Sequence, residues 1–192
     1  MKLIFATNNP HKVEEIKAML HRDIEILSLQ EAGILIDIPE PYDSLEENAR
    51  TKSVTIYEMT HLPCFGEDTG LEVAALGGAP GVKSARYAGE DRSFDANIEK
   101  LLSNLAEKQD RSARFRTIIS LILDGKEKQF EGICPGKIID RKKGTHGFGY
   151  DPVFIPNGSA KTFAEMEQAE KAIFSHRRKA TDKLVTFLNN LI

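Results

Sequence analysis

Two carboxylates stand next to each other at Glu67 and Asp68, in the segment Gly-Glu-Asp-Thr-Gly that follows an apolar stretch. Neighbouring carboxylates repel each other, so the pair needs a cation, solvent or raised pKa values to coexist. Oxygen-rich sites of this type suit Mg²⁺, which commonly bridges protein carboxylates and substrate phosphates. The pattern therefore indicates a magnesium site, and an acidic surface turn is the alternative interpretation.

A second candidate site is the polar segment at 7–12, Thr-Asn-Asn-Pro-His-Lys, between a predicted strand and a predicted helix. Backbone N–H groups at a helix start bind anions, and the hydroxyl of Thr7 and the ammonium of Lys12 add further donors. The segment is not a Walker loop, because the pattern GxxxxGK is absent. A polar loop that only caps the helix is the alternative.

Basic side chains cluster at 175–179, Ser-His-Arg-Arg-Lys, where the last helix is predicted to begin. Cations at a helix N-terminus oppose the helix dipole, at a cost of about 0.3–1 kcal/mol each when exposed. A sequence that accepts this cost favours a bound anion. The alternative is that these side chains point into water, where screening makes the cost small.

The segment at 146–151, His-Gly-Phe-Gly-Tyr-Asp, combines aromatic rings, glycines and one carboxylate. Such a ring can stack on a nucleobase and a carboxylate can accept a base N–H, although tight turns and core plugs use the same residues. The histidines show no HxH or HExxH spacing, so we expect no zinc site. Together, the anion loop, carboxylate pair, aromatic loop and basic helix start match the needs of phosphoanhydride hydrolysis.

Hydrophobic periodicity predicts the elements that position these groups in the first half of the chain. A buried strand at 3–7 leads to a helix, a second strand follows at 24–29, and a third at 62–65 ends at Gly-Glu-Asp-Thr-Gly. Ser44 and Glu47 have capping-box spacing and open a helix to about Met59. The first helix has its apolar positions at Val13, Ile16, Met19 and Leu20.

The second half contains a predicted helix around 94–105 and a strand at 114–123, which Asp124-Gly125 turns into a hairpin. A short strand at 152–156 precedes two helices. One begins after Thr162, with Glu165 in the capping-box position, and one after Ser175. Early alternation of strands and helices, followed by a hairpin, predicts an α/β fold with a mixed central sheet flanked by helices.

The length of 192 residues fits one domain over 1–192, or one fold with two lobes, and no Gly/Ser linker divides the chain. The net charge of -3 offers no bulk attraction to nucleic acid or to an anionic membrane. Two widely spaced cysteines favour a reduced, intracellular chain, and the first apolar stretch is too short for a signal peptide. We therefore expect a cytoplasmic protein with neither nucleic acid nor membrane as a partner.

Five segments resemble, in order, the inosine triphosphatase family, the Ham1-like or RdgB-like pyrophosphatases of noncanonical purine nucleoside triphosphates. The segments are FATNNPHKVEEI at 5–16, SLEENARTKS at 44–53, GEDTGLEVAALGGAPGVKSARYAG at 66–89, HGFGYDPVFIP at 146–156 and SHRRKA at 175–180. The resemblance implies Mg²⁺-dependent cleavage of ITP, dITP or XTP to the monophosphate and pyrophosphate. It also implies a homodimer of elongated, two-lobed subunits with the substrate in a cleft between the lobes.

The resemblance further implies residue roles. Asp68 matches the general base, and Asp68 with Glu40 or Glu67 would hold Mg²⁺. Glu67 replaces the family's usual aspartate, and Pro41-Tyr42 follow Glu40 where the family has a Thr-Gly-like turn. The remaining matches are substrate contacts. Those at the phosphates are Thr7, Asn8, Lys12 and Lys52, and those that directly follow Asp68 in the sequence are Thr69 and Gly70. The loop that recognises the nucleobase contains Phe148, Gly149, Tyr150 and Asp151, and the contacts near the C-terminus are Lys171, His176 and Arg177.

Selectivity is expected at C6 of the purine, where hypoxanthine and xanthine carry a keto oxygen and adenine carries an amine. Three other functions fit parts of the sequence. A Maf-like nucleotide pyrophosphatase is disfavoured by FGYDPVF and SHR, and a non-catalytic nucleotide sensor by the presence of Asp68, Lys12 and Lys52. A nucleic-acid-binding protein is disfavoured by the net charge and the lack of a broad basic stripe.

Overall fold

A computed structural model describes residues 1–19 and 24–191 of the chain. Helices and strands alternate in the first half of this structure, and a long hairpin occupies the middle. The elements are β1 (Lys2–Phe5), α1 (Pro10–Met19), β2 (Glu25–Ser28), α2 (Leu45–Thr60), β3 (Cys64–Val73), β4 (Pro80–Gly81), α3 (Phe94–Asn104), β5 (Ser112–Leu123), β6 (Lys126–Ile138), β7 (Phe154–Pro156), α4 (Gln168–Phe174) and α5 (His176–Asn189).

The strands form one mixed sheet in the order β2-β1-β3-β5-β6-β7, with β4 paired to β3. Strand β1 runs parallel to β2 and β3, whereas β4 is antiparallel to β3 and β7 to β6. Asp124 and Gly125 connect β5 to β6 with φ of 50° and 74°. These positive angles are those of a type I′ turn, which matches the twist of a hairpin. The predicted α/β fold with a mixed sheet flanked by helices is confirmed.

The chain divides into two compact units, each with its own core. The first unit comprises Met1–Asp68, Thr117–Gly132 and Arg177–Ile192, and the second comprises Thr69–Arg116 and Ile133–His176. No helix within 1–19 and 24–191 combines the length and the apolar character needed to cross a bilayer. The substrate cleft between two lobes, implied by the resemblance, stays a prediction.

In the first unit, strand β1 is apolar on both faces because helices cover both sides of it. Leu3 and Phe5 belong to a cluster with α1 and α5 residues such as Ile16 and Leu184. The alternate residue Ile4 packs in another cluster with Ile56 of α2. This alternation follows from the two-residue period of a strand. The continuous apolar run is therefore typical of a parallel strand buried on both faces.

The core of the second unit lies between α3, the ends of β3, β5 and β6, and the segment after β7. Its buried members include Leu71, Ile98, Phe115, Phe154 and Phe163. Ser93 caps α3, since its side chain accepts a hydrogen bond from the backbone N–H of Ala96. The packed face of α3 holds its N-terminal turn in a fixed place next to the aromatic loop.

Two predicted boundaries are wrong. Strand β3 runs to Val73 instead of ending at Gly-Glu-Asp-Thr-Gly, because Leu71 and Val73 continue the alternating burial into the second core. Thr162 and Glu165 form the predicted capping box, but the box closes only a single 3₁₀ turn at Phe163–Glu165. Buried Met166 adopts extended backbone angles, so α4 begins only at Gln168. The predicted helical position Leu20 lies outside the described residues.

Candidate active site

A buried lysine joins two carboxylates in the first unit. The ammonium of Lys52 on α2 lies 2.5 Å from Oε1 of Glu40 and 3.0 Å from Oδ1 of Asp68. It also donates a hydrogen bond of 3.0 Å to the backbone carbonyl of Glu67. The side chains of Lys52 and Asp68 are 8% and 7% exposed, so this ion pair is shielded from solvent. The structure thus brings together three of the predicted site residues.

The amide of Asn48, one turn before Lys52 on α2, fixes the segment that carries Glu40. Its Oδ1 accepts from the backbone N–H of Tyr42, and its Nδ2 donates to the Tyr42 carbonyl, both at 3.0 Å. Ser44 begins the helix as predicted, because its hydroxyl accepts from the backbone N–H of Glu47. Helix α2 therefore positions Lys52 directly and Glu40 through Asn48.

Gly66 lets α2 approach strand β3 closely enough for this contact. A Cβ atom at this position would lie 2.3 Å from the carbonyl oxygen of Ala49 and 2.7 Å from Cβ of Lys52. Both distances are far below van der Waals contact, so any side chain would push the helix away. The glycine before the carboxylate pair is thus a requirement for the contact between Lys52 and Asp68.

Asp68 combines a partnered oxygen with a second one that has no hydrogen-bond partner among the described residues. Oδ1 accepts from Lys52, whereas Oδ2 is buried and unsatisfied within residues 1–19 and 24–191. Burial raises the pKa of Asp68 above its ordinary value, Lys52 and Lys12 oppose that rise, and Glu40 adds to it. A carboxylate with a raised pKa and a bare oxygen is suited to accept a proton or to contact a cation.

The electrostatics of Lys52 complement those of Asp68. Burial alone would lower the pKa of Lys52, but the charges of Asp68 and Glu40 outweigh burial and raise it. The ammonium therefore stays protonated and holds Glu40 and Asp68 in place. Buried charges persist only when they are paired and hydrogen-bonded in this way.

Glu67 faces a different set of cations from Asp68, since successive strand residues point to opposite faces. Arg177 at the start of α5 binds Glu67 in a fork, with Nε 2.9 Å from Oε2 and Nη2 3.0 Å from Oε1. Nη1 of Arg177 donates to Glu15 of α1, and the ammonium of Lys12 lies 3.4 Å from Oε1 of Glu67. Glu67 is therefore the anionic centre of a buried network of basic side chains.

Burial and charge act oppositely on the two cations of this network. Burial lowers the pKa of Lys12, and the charge of Glu67 only partly offsets the effect. Burial would also lower the pKa of Arg177, but Glu67 and Glu15 together raise it. Arg177 is 2% exposed and His176 is 3% exposed, so the alternative of a solvated basic cluster is wrong for both.

Asn9 caps helix α1 within the predicted anion loop. Its Oδ1 accepts from the backbone N–H of His11 at 3.0 Å and of Lys12 at 3.4 Å, and Thr7 Oγ1 accepts from Asn9 at 3.2 Å. Asn8 donates from Nδ2 to the carbonyl of Ile36 at 2.8 Å. The loop thus has the capping role of the alternative interpretation, and anion binding by Thr7, Asn8 and Lys12 stays a prediction.

In the second unit, Asp151 organises the aromatic loop. Its Oδ2 accepts from the ammonium of Lys171 at 2.7 Å and from the backbone N–H of Phe148 at 3.0 Å. The same ammonium lies 5.5 Å from the ring centre of half-buried Phe148. Gly147 has a φ of +74°, and a Cβ atom there would lie 2.0 Å from Asp151 Oδ2. The loop therefore holds an aromatic ring and a buried ammonium side by side.

Tyr150 and His176 are packed into the second core. The hydroxyl of Tyr150 donates to the Ser84 carbonyl at 2.8 Å, and burial raises the pKa of this phenol. The ring of His176 stacks on Phe115 with centroids 4.7 Å apart and planes 14° apart. Thr69 and Gly70 continue β3, where a Cβ atom at Gly70 would lie 2.6 Å from the Gly81 carbonyl. These contacts make Tyr150 an anchor of the loop.

Sequence reasoning missed Glu15, which pairs with Arg177 across 162 positions of the chain. The only signal was its place in the segment Lys-Val-Glu-Glu, one turn after Lys12. Among the described residues, no group of three or more His, Cys, Asp or Glu side chains is arranged to hold a metal ion. The carboxylates of the first unit instead form ion pairs with Lys52, Arg177 and Lys12.

Comparisons with known proteins identify the family of the chain. The sequence model described as Ham1 family matches residues 3–187. The structure is similar to that of the Staphylococcus aureus Ham1 protein, with a TM-score of 0.91, 39% identity and 100% of both chains covered. It is also similar to a HAM1 protein from Coxiella burnetii, with a TM-score of 0.90, 35% identity and 99% of both chains covered.

Two curated relatives carry the name dITP/XTP pyrophosphatase. The protein of Christiangramia forsetii is 50% identical over 189 residues, 98% of this chain and 100% of the relative. That of Porphyromonas gingivalis is 51% identical over 188 residues, 97% of each. The chain belongs to the Ham1 family.

Proposed function

We propose that the chain hydrolyses noncanonical purine nucleoside triphosphates (ITP, dITP and XTP) to the monophosphate and pyrophosphate, and so removes them from the nucleotide pool. The observation that carries this proposal is Asp68, a buried carboxylate with one oxygen on Lys52 and the other without a partner among the described residues. The names of the curated relatives support the substrate class.

Asp68 is the general base. Its raised pKa strengthens it as a proton acceptor, while Lys52 keeps it ionised and oriented. Asp68 takes a proton from water, and the water oxygen forms a bond to the α-phosphorus of the triphosphate. The bond to the bridging oxygen breaks, and pyrophosphate leaves with the bond electrons. Lys12, Lys52 and Arg177 supply positive charge for the phosphate oxygens, the largest expected contribution to such catalysis.

Mg²⁺ fits the residues of the first unit. Glu40 and Asp68 converge on one ammonium, and Asp68 Oδ2 remains without a partner in the described part of the chain. These two carboxylates would hold the ion, and its charge would neutralise triphosphate oxygens. We favour Glu40 over Glu67 as the second ligand, because both oxygens of Glu67 bind Arg177.

Lys171 is the residue we infer to select the base. An ammonium only donates hydrogen bonds, so it pairs with a keto oxygen at C6 but not with the amine of adenine. Asp151 fixes Lys171 at 2.7 Å, and Phe148 next to it offers a stacking face. The resemblance to the family supports Thr69, Gly70, Gly149, Tyr150 and His176 as further contacts of the substrate.

We further infer a cytoplasmic homodimer without nucleic acid or a membrane as a partner. The resemblance to the family supports the dimer, and the wide sequence spacing of Cys64 and Cys134 is typical of a chain in a reducing compartment. Size-exclusion chromatography with light scattering measures the assembly, and a monomeric mass at micromolar concentration would contradict this proposal.

The test of the reaction is pyrophosphate release from ITP, XTP, GTP and ATP, each with Mg²⁺ and with a chelator. We expect fast, Mg²⁺-dependent release from ITP and XTP and little from GTP and ATP. The Asp68→Asn variant is the matched control, because it retains the shape of the site. If the wild type binds ITP but releases no pyrophosphate, the result would instead support a nucleotide sensor. Equal turnover of the four nucleotides would contradict the proposed specificity.

A further inference from the structure

Phe94, the first residue of α3, contacts the ring of Phe148. The two ring centres lie 6.1 Å apart at an interplanar angle of 44°, a distance typical of interacting aromatic pairs. Phe94 is 42% exposed, which is unusual for a large apolar side chain that only stabilises a core. The neighbouring Asp95 binds Lys142, with 2.6 Å between the charged atoms. The N-terminal turn of α3 therefore contacts the aromatic loop at Phe148 and the segment that precedes the loop at Lys142.

Helix α3 can act as a fixed support for the loop because its own position is determined by the core. Ile98 and Leu101 are buried in the second core. The amide of Asn97 accepts from the Ala88 backbone at 2.6 Å and donates to the Ala85 carbonyl at 3.0 Å. In contrast, residues 140–147, which lead into the aromatic loop and include its first two residues, are exposed. An exposed segment gains its order from contacts with rigid neighbours.

We propose that Phe94 is a positioning residue for base recognition, because it holds the ring of Phe148 at the angle at which that ring stacks on the purine. The ion pair between Asp95 and Lys142 holds the segment that leads into this loop. This inference rests on the proposed function, and specifically on stacking by Phe148. Phe94 acts through Phe148. Removing the Phe94 ring should therefore weaken the binding of the purine base without altering the groups that react.

The kinetic test compares Phe94→Ala with wild type on ITP. A loss of base positioning removes uniform binding, which raises KM and leaves kcat unchanged. We expect KM to rise roughly 3- to 10-fold, the scale of one aromatic pair, with Phe94→Tyr close to wild type. Met59→Ala, the truncation of a 55% exposed side chain on α2, is the matched control and should leave KM unchanged.

A spectroscopic test exploits the absence of tryptophan from the sequence. Phe148→Trp places a single fluorophore in the loop. Adding Phe94→Ala to this variant should lower the steady-state fluorescence anisotropy of the tryptophan, because its ring loses a neighbour. Phe94→Leu, which keeps apolar volume, should give an intermediate value. Unchanged anisotropy in both double variants would overturn the positioning role.

A double-mutant cycle separates this inference from the proposed function. If Phe94 acts through Phe148, its truncation adds little to KM once Phe148→Ala is present. Equal effects of Phe94→Ala in both backgrounds would overturn the inference. If Phe148→Ala itself leaves KM for ITP unchanged, the proposed base subsite fails and the inference with it. A raised KM in Phe148→Ala with no effect of Phe94→Ala overturns the positioning role alone.

Discussion

The ammonium of Lys52 lies 3.0 Å from Oδ1 of Asp68, and Oδ2 of the same carboxylate has no partner among the described residues. One oxygen is thus committed to a cation that keeps the group ionised. The other is left for water or a metal ion. Such an asymmetric carboxylate is well suited to be both a base and a ligand.

The first prediction concerns Asp68→Asn, which keeps the shape of the side chain but removes its proton affinity. We expect kcat for ITP to fall by about 10²–10⁴-fold, the usual contribution of a general base, and by more if Mg²⁺ binding is also weakened. Steady-state pyrophosphate release measures the loss, and circular dichroism checks the fold. Near-normal turnover in a folded variant would remove Asp68 from the mechanism.

The second prediction concerns pH. A carboxyl group with a raised pKa loses its basic form as pH falls through that higher value. The acid-side decline of kcat/KM should therefore lie above the ordinary pKa of 3.8 for aspartate. Lys52 lowers the pKa of Asp68, and Lys52→Met should therefore move the acid limb of the residual activity to higher pH. The measurement is kcat/KM for ITP against pH.

The control for this shift is Lys17→Met, which removes the lysine of a surface ion pair with Glu31 at 2.6 Å. Side chains of this pair are 39% and 46% exposed, so the acid limb should stay where it is in wild type. A limb that stays fixed in Lys52→Met, or moves equally in both variants, would contradict control of Asp68 by Lys52.

Local patterns predicted the elements of the fold better than they predicted the partners within the site. Apolar spacing and the cap at Ser44 depend on neighbours within one or two turns, so helix α2 was predictable. The fork between Arg177 and Glu67 joins residues 110 positions apart. No local pattern encodes such a pair. The sequence alone therefore did not decide whether the basic cluster at the helix start binds an anion or points into solvent.

The extension of β3 shows why the roles of adjacent carboxylates were also hard to assign. A turn would have placed Glu67 and Asp68 together on one acidic surface. Within a continuous strand they face opposite sides, one towards Arg177 and the other towards Lys52. Glu67 and Asp68 are polar but buried, so they interrupt the apolar pattern from which a strand is predicted. Such interruptions are expected at functional sites.

The third prediction separates the two candidate metal ligands. Glu40→Gln should raise the Mg²⁺ concentration needed for half-maximal activity, because it removes one of two converging carboxylates. Glu67→Gln should leave that concentration unchanged, but it should lower the free energy of unfolding by about 3–5 kcal/mol, since Arg177 loses its buried partner. Mg²⁺ titrations and urea unfolding of both variants measure these effects. The reverse pattern would assign the metal to Glu67.

The fourth prediction concerns base selectivity. Asp151→Asn removes the charge that holds Lys171 at 2.7 Å, so the ammonium no longer has a fixed direction. We expect kcat/KM for ITP to fall by roughly 10- to 100-fold, the scale of a hydrogen bond to a charged group, with a smaller loss for ATP. The ratio of kcat/KM between ITP and ATP is the quantity to measure. A ratio equal to that of wild type would place selectivity elsewhere.

The fifth prediction tests whether the absence of a side chain at Gly147 determines the conformation of the aromatic loop. Gly147 has a φ of +74°, and a Cβ atom there would lie 2.0 Å from Asp151 Oδ2. Gly147→Ala should therefore displace the carboxylate from Lys171 and Phe148. We expect it to reproduce the loss of ITP selectivity predicted for Asp151→Asn, in addition to about 1–2 kcal/mol of backbone strain.

The matched variant is Gly77→Ala, at a position with a φ of +62° and nothing within 4 Å of the added Cβ atom. Both substitutions cost similar backbone strain, so thermal unfolding should show comparable losses from this source in each. Only Gly147→Ala brings a methyl group against Asp151, and only this variant should lower the ratio of kcat/KM between ITP and ATP. Equal ratios in the two variants would mean that the loop accommodates the methyl group without moving Asp151, and that the space at Gly147 does not set the selectivity.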